Sequence, residues 1–254
     1  MLPYLRVGPF LLQLSGLALL LGFWLGLSVS EREAKRRNAN PNEIYNLAFF
    51  AALTGLVGAR IGYAARYPSP YLQNPISLLA LNANTLSPMV GILTGVLMAL
   101  FYGKRRELPL RSTLDILAPG LAVMQIFLGV AHLLSGEDYG MPAQLPWAIY
   151  LWTEYRHPTQ IYEITAAVIT LGILVRRSYA PGRPGAQFLI LVALSAGLRL
   201  FLEAFRGDSL LWMGGLRSAQ VISLFVLLGA LWLMEKWTKP LGVSEALPSK
   251  RGIV

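Results

Sequence analysis

Apolar residues along this 254-residue chain gather into long runs separated by short polar segments. The runs have the length that a bilayer demands, since about 20 helical residues cross a hydrocarbon core of about 30 Å. They fall at 8–29, 44–65, 87–103, 113–134, 158–175, 185–205 and 218–237, the third being the shortest. The pattern predicts an all-α integral membrane protein with seven transmembrane helices. Residues 1–240 form its transmembrane domain, with an extracytoplasmic loop at 135–157, and 241–254 a loose cytoplasmic tail. Composition agrees: 55% of residues are hydrophobic and 14% charged, where a soluble domain carries about a quarter charged.

Charge gives the orientation. Most of the 22 Lys and Arg fall in alternate segments: Arg32, Lys35, Arg36 and Arg37; then Lys104, Arg105, Arg106 and Arg111; then Arg176, Arg177 and Arg183; then Lys236, Lys239, Lys250 and Arg251. The other segments hold only Arg6, Arg66, Arg156, Arg206 and Arg217. The positive-inside rule therefore predicts the N-terminus outside and the C-terminus cytoplasmic. The net charge of +9 needs no nucleic acid to account for it, because these groups flank the spans and face anionic lipid. Arg32 to Arg37, following the first run, favour a retained span over a cleaved signal peptide.

Cysteine is absent, which excludes disulfides, thiolate metal sites and a cysteine nucleophile. With two histidines in all, neither a metal site nor a cofactor is expected. No Walker loop or Gly-x-Ser-x-Gly elbow occurs. Gly-x-x-x-Gly at Gly22/Gly26, Gly58/Gly62 and Gly91/Gly95 predicts close helix packing.

Candidate chemistry concentrates in Arg156-His157-Pro158-Thr159-Gln160-Ile161-Tyr162-Glu163, a polar stretch at the mouth of the fifth span. Polar groups there are costly and usually functional. Pro158 suits a first helical turn, whose free N–H groups would favour a phosphate or carboxylate beside Arg156 and His157. Given the orientation, Arg60 and Tyr63 of span two, Glu137 beyond span four, and Arg199, Glu203 and Arg206 of span six lie at the same outer depth. Asp115, at the inner end of span four, is the exception. Spacings of four and three put Arg199, Glu203 and Arg206 on one helix face. Two arginines on one carboxylate leave a positive excess, which predicts an anionic ligand such as a phospholipid head. His132, among apolar neighbours, is expected to be an ordinary interfacial histidine. Tyr139, Trp147, Tyr150, Trp152 and Tyr155 read as an interfacial anchor.

These segments resemble the bacterial prolipoprotein diacylglyceryl transferases. His157 to Glu163 matches that family's His-Pro-Ser/Thr-Gln-Leu/Ile-Tyr-Glu motif. Gly58 to Tyr63, Asp115 to Pro119, Gly136 to Pro142 followed by Leu145 to Ala148, Arg199-x-x-x-Glu203-x-x-Arg206 and Gln220 to Leu224 follow in family order over almost the whole chain. Four family features differ: a tyrosine is Ser15, the His-Gly-Gly of span three is Met89-Val90-Gly91, an arginine is Gly129 and an asparagine is His132. The asparagine of the family's Asn-Gly-Glu is also replaced, by Ser135.

The resemblance implies transfer of a diacylglyceryl group from phosphatidylglycerol to the lipobox cysteine in a preprolipoprotein signal peptide, in the bacterial inner membrane. It implies His157, Arg199, Glu203 and Glu137 as catalytic groups, with His157 or Glu203 assisting thiol deprotonation. Arg60, Tyr63, Arg156, Gln160, Tyr162, Glu163 and Arg206 would hold the phospholipid head. The alternative is a non-catalytic homologue that binds phospholipid or a lipoprotein. A small transporter is a third reading, disfavoured because the polar groups keep to one depth and no long repeat is visible.

Overall fold

The computed structural model describes residues 4–7, 10–79, 85–176, 183–212 and 215–238; the tail expected at 241–254 lies outside them. Two short strands, β1 (Tyr4–Val7) and β2 (Phe10–Gln13), precede the helices and pair antiparallel. The helices are α1 (Leu14–Arg36), α2 (Pro41–Arg66), α3 (Pro68–Gln73), α4 (Pro88–Arg105), α5 (Leu110–Ser135), α6 (Thr159–Arg176), α7 (Ala186–Leu202) and α8 (Ser218–Thr238). Between α5 and α6 lies a hairpin of β3 (Ile149–Leu151) and β4 (Glu154–Arg156). Six of the helices are long and apolar enough to cross a membrane. The protein is an all-α, multi-pass integral membrane protein. The remaining long helix, α4, has 18 residues and ends in Lys104 and Arg105.

The first span differs from expectation at both ends. Its helix starts at Leu14 rather than residue 8, because Phe10–Gln13 spend their backbone hydrogen bonds on β1. It continues past residue 29 to Arg36, through helix-forming Glu, Ala, Lys and Arg. Elsewhere local chemistry sets the ends within a few residues of the apolar runs. Asn40 accepts from the Asn42 N–H at 3.0 Å, with Pro41 and Glu43 in the first turn of α2. α5 stops at Gly136, held at φ 80°, a left-handed conformation natural to glycine.

Small residues decide which helices meet. α1 packs along α5, and a Cβ on Gly26 would lie 2.7 Å from the Gly120 carbonyl oxygen. α2 packs along α4, where a Cβ on Gly62 would lie 2.7 Å from Val90 and one on Gly91 3.0 Å from the Gly55 oxygen. The α2–α4 pair joins the rest chiefly through α1. The central layer is α5, α6 and α7, with α8 against α7.

α5 and α7 run side by side in the same direction, with partners about 70 residues apart all along. At one end the Asp115 carboxylate, 4% exposed, accepts the Gly185 N–H at 2.7 Å and the Phe188 N–H at 2.9 Å, which fastens the start of α7 to α5. Arg37, itself paired to Glu33 at 2.6 Å, lies 3.5 Å from the same carboxylate. Halfway along, Gln125 and Ser195 exchange hydrogen bonds of 3.0 and 3.1 Å. The other end opens around the polar residues.

Candidate functional site

A turn between α5 and β3 builds this open end. Gly136 closes α5, and the chain then lies against the segment after α7: Met141 N–H bonds the Phe205 oxygen at 2.8 Å and Gly207 N–H the Tyr139 oxygen at 2.9 Å. His157 N–H returns to the Met141 oxygen at 3.0 Å. Gly140 is required here, because any Cβ would strike the His157 carbonyl. This three-way seam delivers Asp138 to the end of α7.

There Asp138 takes both terminal nitrogens of Arg206, one at 2.6 Å and the other in closer contact. Arg206 is 6% exposed and also bonds Asp208 at 3.0 and 2.9 Å. Arg199 Nη1 bonds Glu163 Oε1 at 2.9 Å, and Arg199 Nε lies 3.2 Å from Glu203. Glu203, 2% exposed, has Arg206 Nε at 3.7 Å on its other side, so it does stand between the two arginines. Arg217 bonds the carbonyl oxygens of Glu203 and Arg206 and the Ser209 hydroxyl. Burial would push the Asp138 carboxyl upward, but the Arg206 hydrogen bond and the charges of His132, Arg206 and Arg199 hold it below the ordinary carboxylate range.

Two expectations are corrected by this geometry. The arginines share three carboxylates rather than one, because Glu163 arrives from α6 and Asp138 from the turn, so the expected positive excess is absent. His132 is no bystander: its Nδ1 lies 3.2 Å from Asp138 and 3.6 Å from Glu163. Ligand atoms of His132, Asp138 and Glu163 fall within 4.8 Å of one another, a spacing that a metal ion could use. The Arg199 and Arg206 guanidiniums already occupy those carboxylates, and a cation would have to displace them.

The expected helix N-terminus is not a free anion site either. α6 begins at Thr159, with Pro158 just outside. The Thr159 N–H bonds the His157 oxygen at 2.9 Å, and the Ile161 and Tyr162 N–H groups bond the Pro158 oxygen at 3.0 and 3.1 Å. Gln160 is wholly buried and donates to the Glu137 oxygen at 2.8 Å, tying α6 to the turn. The Glu137 side chain is exposed.

The remaining site candidates lie around this cluster or away from it. The His157 ring sits 5.2 Å from Phe205, with its Nδ1 3.5 Å from the Tyr162 hydroxyl, which in turn accepts from Trp147 at 2.8 Å. Arg156 pairs with Glu154 at 2.8 Å, donates to Gly140 and covers the Tyr139 ring. Arg60 is held elsewhere, by the carbonyls of Ser77 at 2.6 Å and Leu78 at 3.0 Å and by Thr85. Those acceptors are neutral. Tyr63 lies against Tyr67 with the rings tilted, 4.9 Å between centroids, on the same helix as Arg60. The structure thus gathers Arg199, Glu203, Arg206 and Glu163, and sets Arg60 and Tyr63 apart on the α2–α4 pair.

Beside the cluster is a cavity of about 240 Å³ among α5, α6 and α7, lined by His132, Glu163, Arg199, Gly129, Thr170 and neighbours. It shares Gln125, Leu128 and Ser195 with a second, mainly apolar cleft of about 390 Å³ among α5, α7 and α8. A charged chamber beside an apolar cleft inside a membrane bundle offers the two kinds of surface that an amphiphile presents.

Fold and site define a polytopic membrane protein with an ion-paired cavity among its helices. The chain belongs to the prolipoprotein diacylglyceryl transferase family, whose model matches residues 3–235. It is 30% identical to a phosphatidylglycerol–prolipoprotein diacylglyceryl transferase of Nostoc, over 97% of this chain and 93% of that one. A protein of the same name from Synechococcus elongatus is 30% identical over 96% and 88%. Another from Trichormus variabilis is 31% identical over 90% and 88%.

Proposed function

We propose that this protein moves a diacylglyceryl group from phosphatidylglycerol to the lipobox cysteine of a preprolipoprotein signal peptide, forming a thioether and releasing glycerol phosphate. The observation that carries this is the charged cavity set beside an apolar cleft, with Gln125, Leu128 and Ser195 lining both. The relatives' names supply the two substrates. We place the protein in the bacterial inner membrane with seven spans, α4 included, the N-terminus outside and the C-terminus cytoplasmic, on the distribution of Lys and Arg.

In this assignment Arg199 meets the phosphate. It lines the cavity and is 37% exposed, whereas Arg206 is buried among carboxylates. Its fork can turn from Glu163 to two phosphate oxygens and stabilise the charge that grows on them as the glyceryl C–O bond breaks. Glu203 and Arg206 hold Arg199 from behind. Tyr162, His157, Arg156 and Glu137 shape the mouth on the side of the aromatic hairpin, where the peptide enters, and buried Gln160 braces it by tying α6 to the turn. Arg60 and Tyr63 hold a lipid head only if the α2–α4 face lines the route of a second lipid.

The attacking thiol belongs to the substrate, so the absence of cysteine is no obstacle. The cavity contributes by fixing thiol and glyceryl carbon at reacting distance away from bulk water. The test is direct. Purified protein is mixed with phosphatidylglycerol and a one-cysteine lipobox peptide, and products are read by mass spectrometry. The peptide should gain one diacylglyceryl mass, with a loss of about 10²-fold or more for Arg199→Ala. Folded protein that binds phosphatidylglycerol but yields no adduct would instead identify a binding homologue, the reading suggested by Val90 and Gly129.

A further inference from the structure

We infer that His132 is the general base that takes the proton from the substrate thiol, an assignment that rests on the transferase reading. The family's His-Gly-Gly of span three is Met89-Val90-Gly91 here, and neither expected base lines the cavity: His157 is packed against Phe205 and Tyr162, and Glu203 is 2% exposed between Arg199 and Arg206. His132 does line it, beside Arg199, where the phosphate is received.

The ring is arranged for the task. The two nearest carboxylate oxygens, Asp138 Oδ2 at 3.2 Å and Glu163 Oε2 at 3.6 Å, lie on the Nδ1 side without forming a hydrogen bond to it, and their charge favours the neutral ring's proton on Nδ1 and the lone pair on Nε2. Nε2 has no hydrogen-bond partner among the described residues. A carboxylate behind one nitrogen and a substrate before the other is the arrangement that orients a catalytic histidine and steadies its cationic form.

Charge counting points the same way. The groups facing His132 are Asp138 and Glu137 from the turn, Glu163 from α6 and Arg199 from α7. Four carboxylates, Asp138, Glu163, Glu203 and Asp208, stand around the two guanidiniums of Arg199 and Arg206, so a proton that neutral His132 takes from the thiol lessens a negative excess. An arriving phosphodiester adds a negative charge and strengthens the pull on that proton. In the step itself the S–H proton passes to Nε2 while sulfur bonds the glyceryl carbon. The electron pair of the breaking C–O bond leaves with glycerol phosphate, which then receives the proton back from the imidazolium.

The test compares lipobox peptides carrying cysteine or selenocysteine in phosphatidylglycerol nanodiscs, with rates normalised to protein that binds the lipid. A selenol is largely ionised at neutral pH and needs no base. His132→Asn and His132→Gln should lose about 10²–10⁴-fold with the thiol, yet stay within about 10-fold of wild type with the selenol. Equal losses with both peptides in both variants would overturn the assignment and leave the transferase reading standing. A wild type that lipidates neither peptide removes both together.

Discussion

Asp115 lies in a segment shared with the transferase family, and the structure gives it a mechanical task far from the cavity. Its two oxygens accept the Gly185 and Phe188 N–H groups at 2.7 and 2.9 Å, two of the donors that the first turn of α7 cannot satisfy itself. Asp115→Ala removes both acceptors in a site where the carboxylate is 4% exposed and water does not replace it. Each stranded buried donor costs about 1–3 kcal/mol, so the substitution should destabilise by about 2–6 kcal/mol. Arg37 keeps Glu33 and Gln187 and adds little to the loss. Asp115→Asn keeps one acceptor and should lose roughly half as much. Thermal unfolding in detergent measures the loss, and the transfer rate per folded molecule should stay that of the wild type. A cost under about 1 kcal/mol for Asp115→Ala, or a collapse of turnover at unchanged stability, would refute the mechanical role.

Other outcomes follow from the same geometry. Gly26→Leu should cost at least about 1–3 kcal/mol, because a Cβ there already meets the Gly120 oxygen at 2.7 Å; yield and melting temperature report it. Asp138 is held below its ordinary range, so its contribution is present above the unfolded pKa of about 3.9 and is lost as pH falls through the lower folded value. Melting temperature should therefore fall on acidification below about pH 4, and more shallowly for Asp138→Asn. Ser195→Phe should crowd both cavity and cleft and weaken phosphatidylglycerol binding, measured by lipid retention, at a cost of about 1–3 kcal/mol for overpacking where Ser195 meets Gln125.

Much of this site was legible because its chemistry lies in short motifs. The i, i+4 and i, i+3 spacings of Arg199, Glu203 and Arg206 needed only helical geometry, and the apolar runs located six membrane-crossing helices. What was hidden depends on the path of the chain between helices. Asp138 reaches Arg206 through a seam with residues far along the sequence, so neither its neutralising charge nor the recruitment of His132 could be read from spacing. The run at the N-terminus is apolar throughout, and hydrophobicity alone does not separate Phe10–Gln13 in a strand from Leu14 in a helix. Arg60 was grouped with the others by depth. Depth ignores lateral position, and the Gly-x-x-x-Gly contacts commit α2 to α4 instead.

The parallel pair α5 and α7 is fastened at three levels: by Asp115 at one end, by Gln125 with Ser195 at midpoint, and at the far end by the backbone seam of Met141 with Phe205 and Gly207 with Tyr139 together with the arginine–carboxylate pairs. A pair pinned so often along its length acts as a fixed frame, and a headgroup that reaches Arg199 does so by moving side chains rather than by parting the helices. Spin labels on the two helix tips should therefore keep their separation when phosphatidylglycerol binds, as should labels beside Asp115.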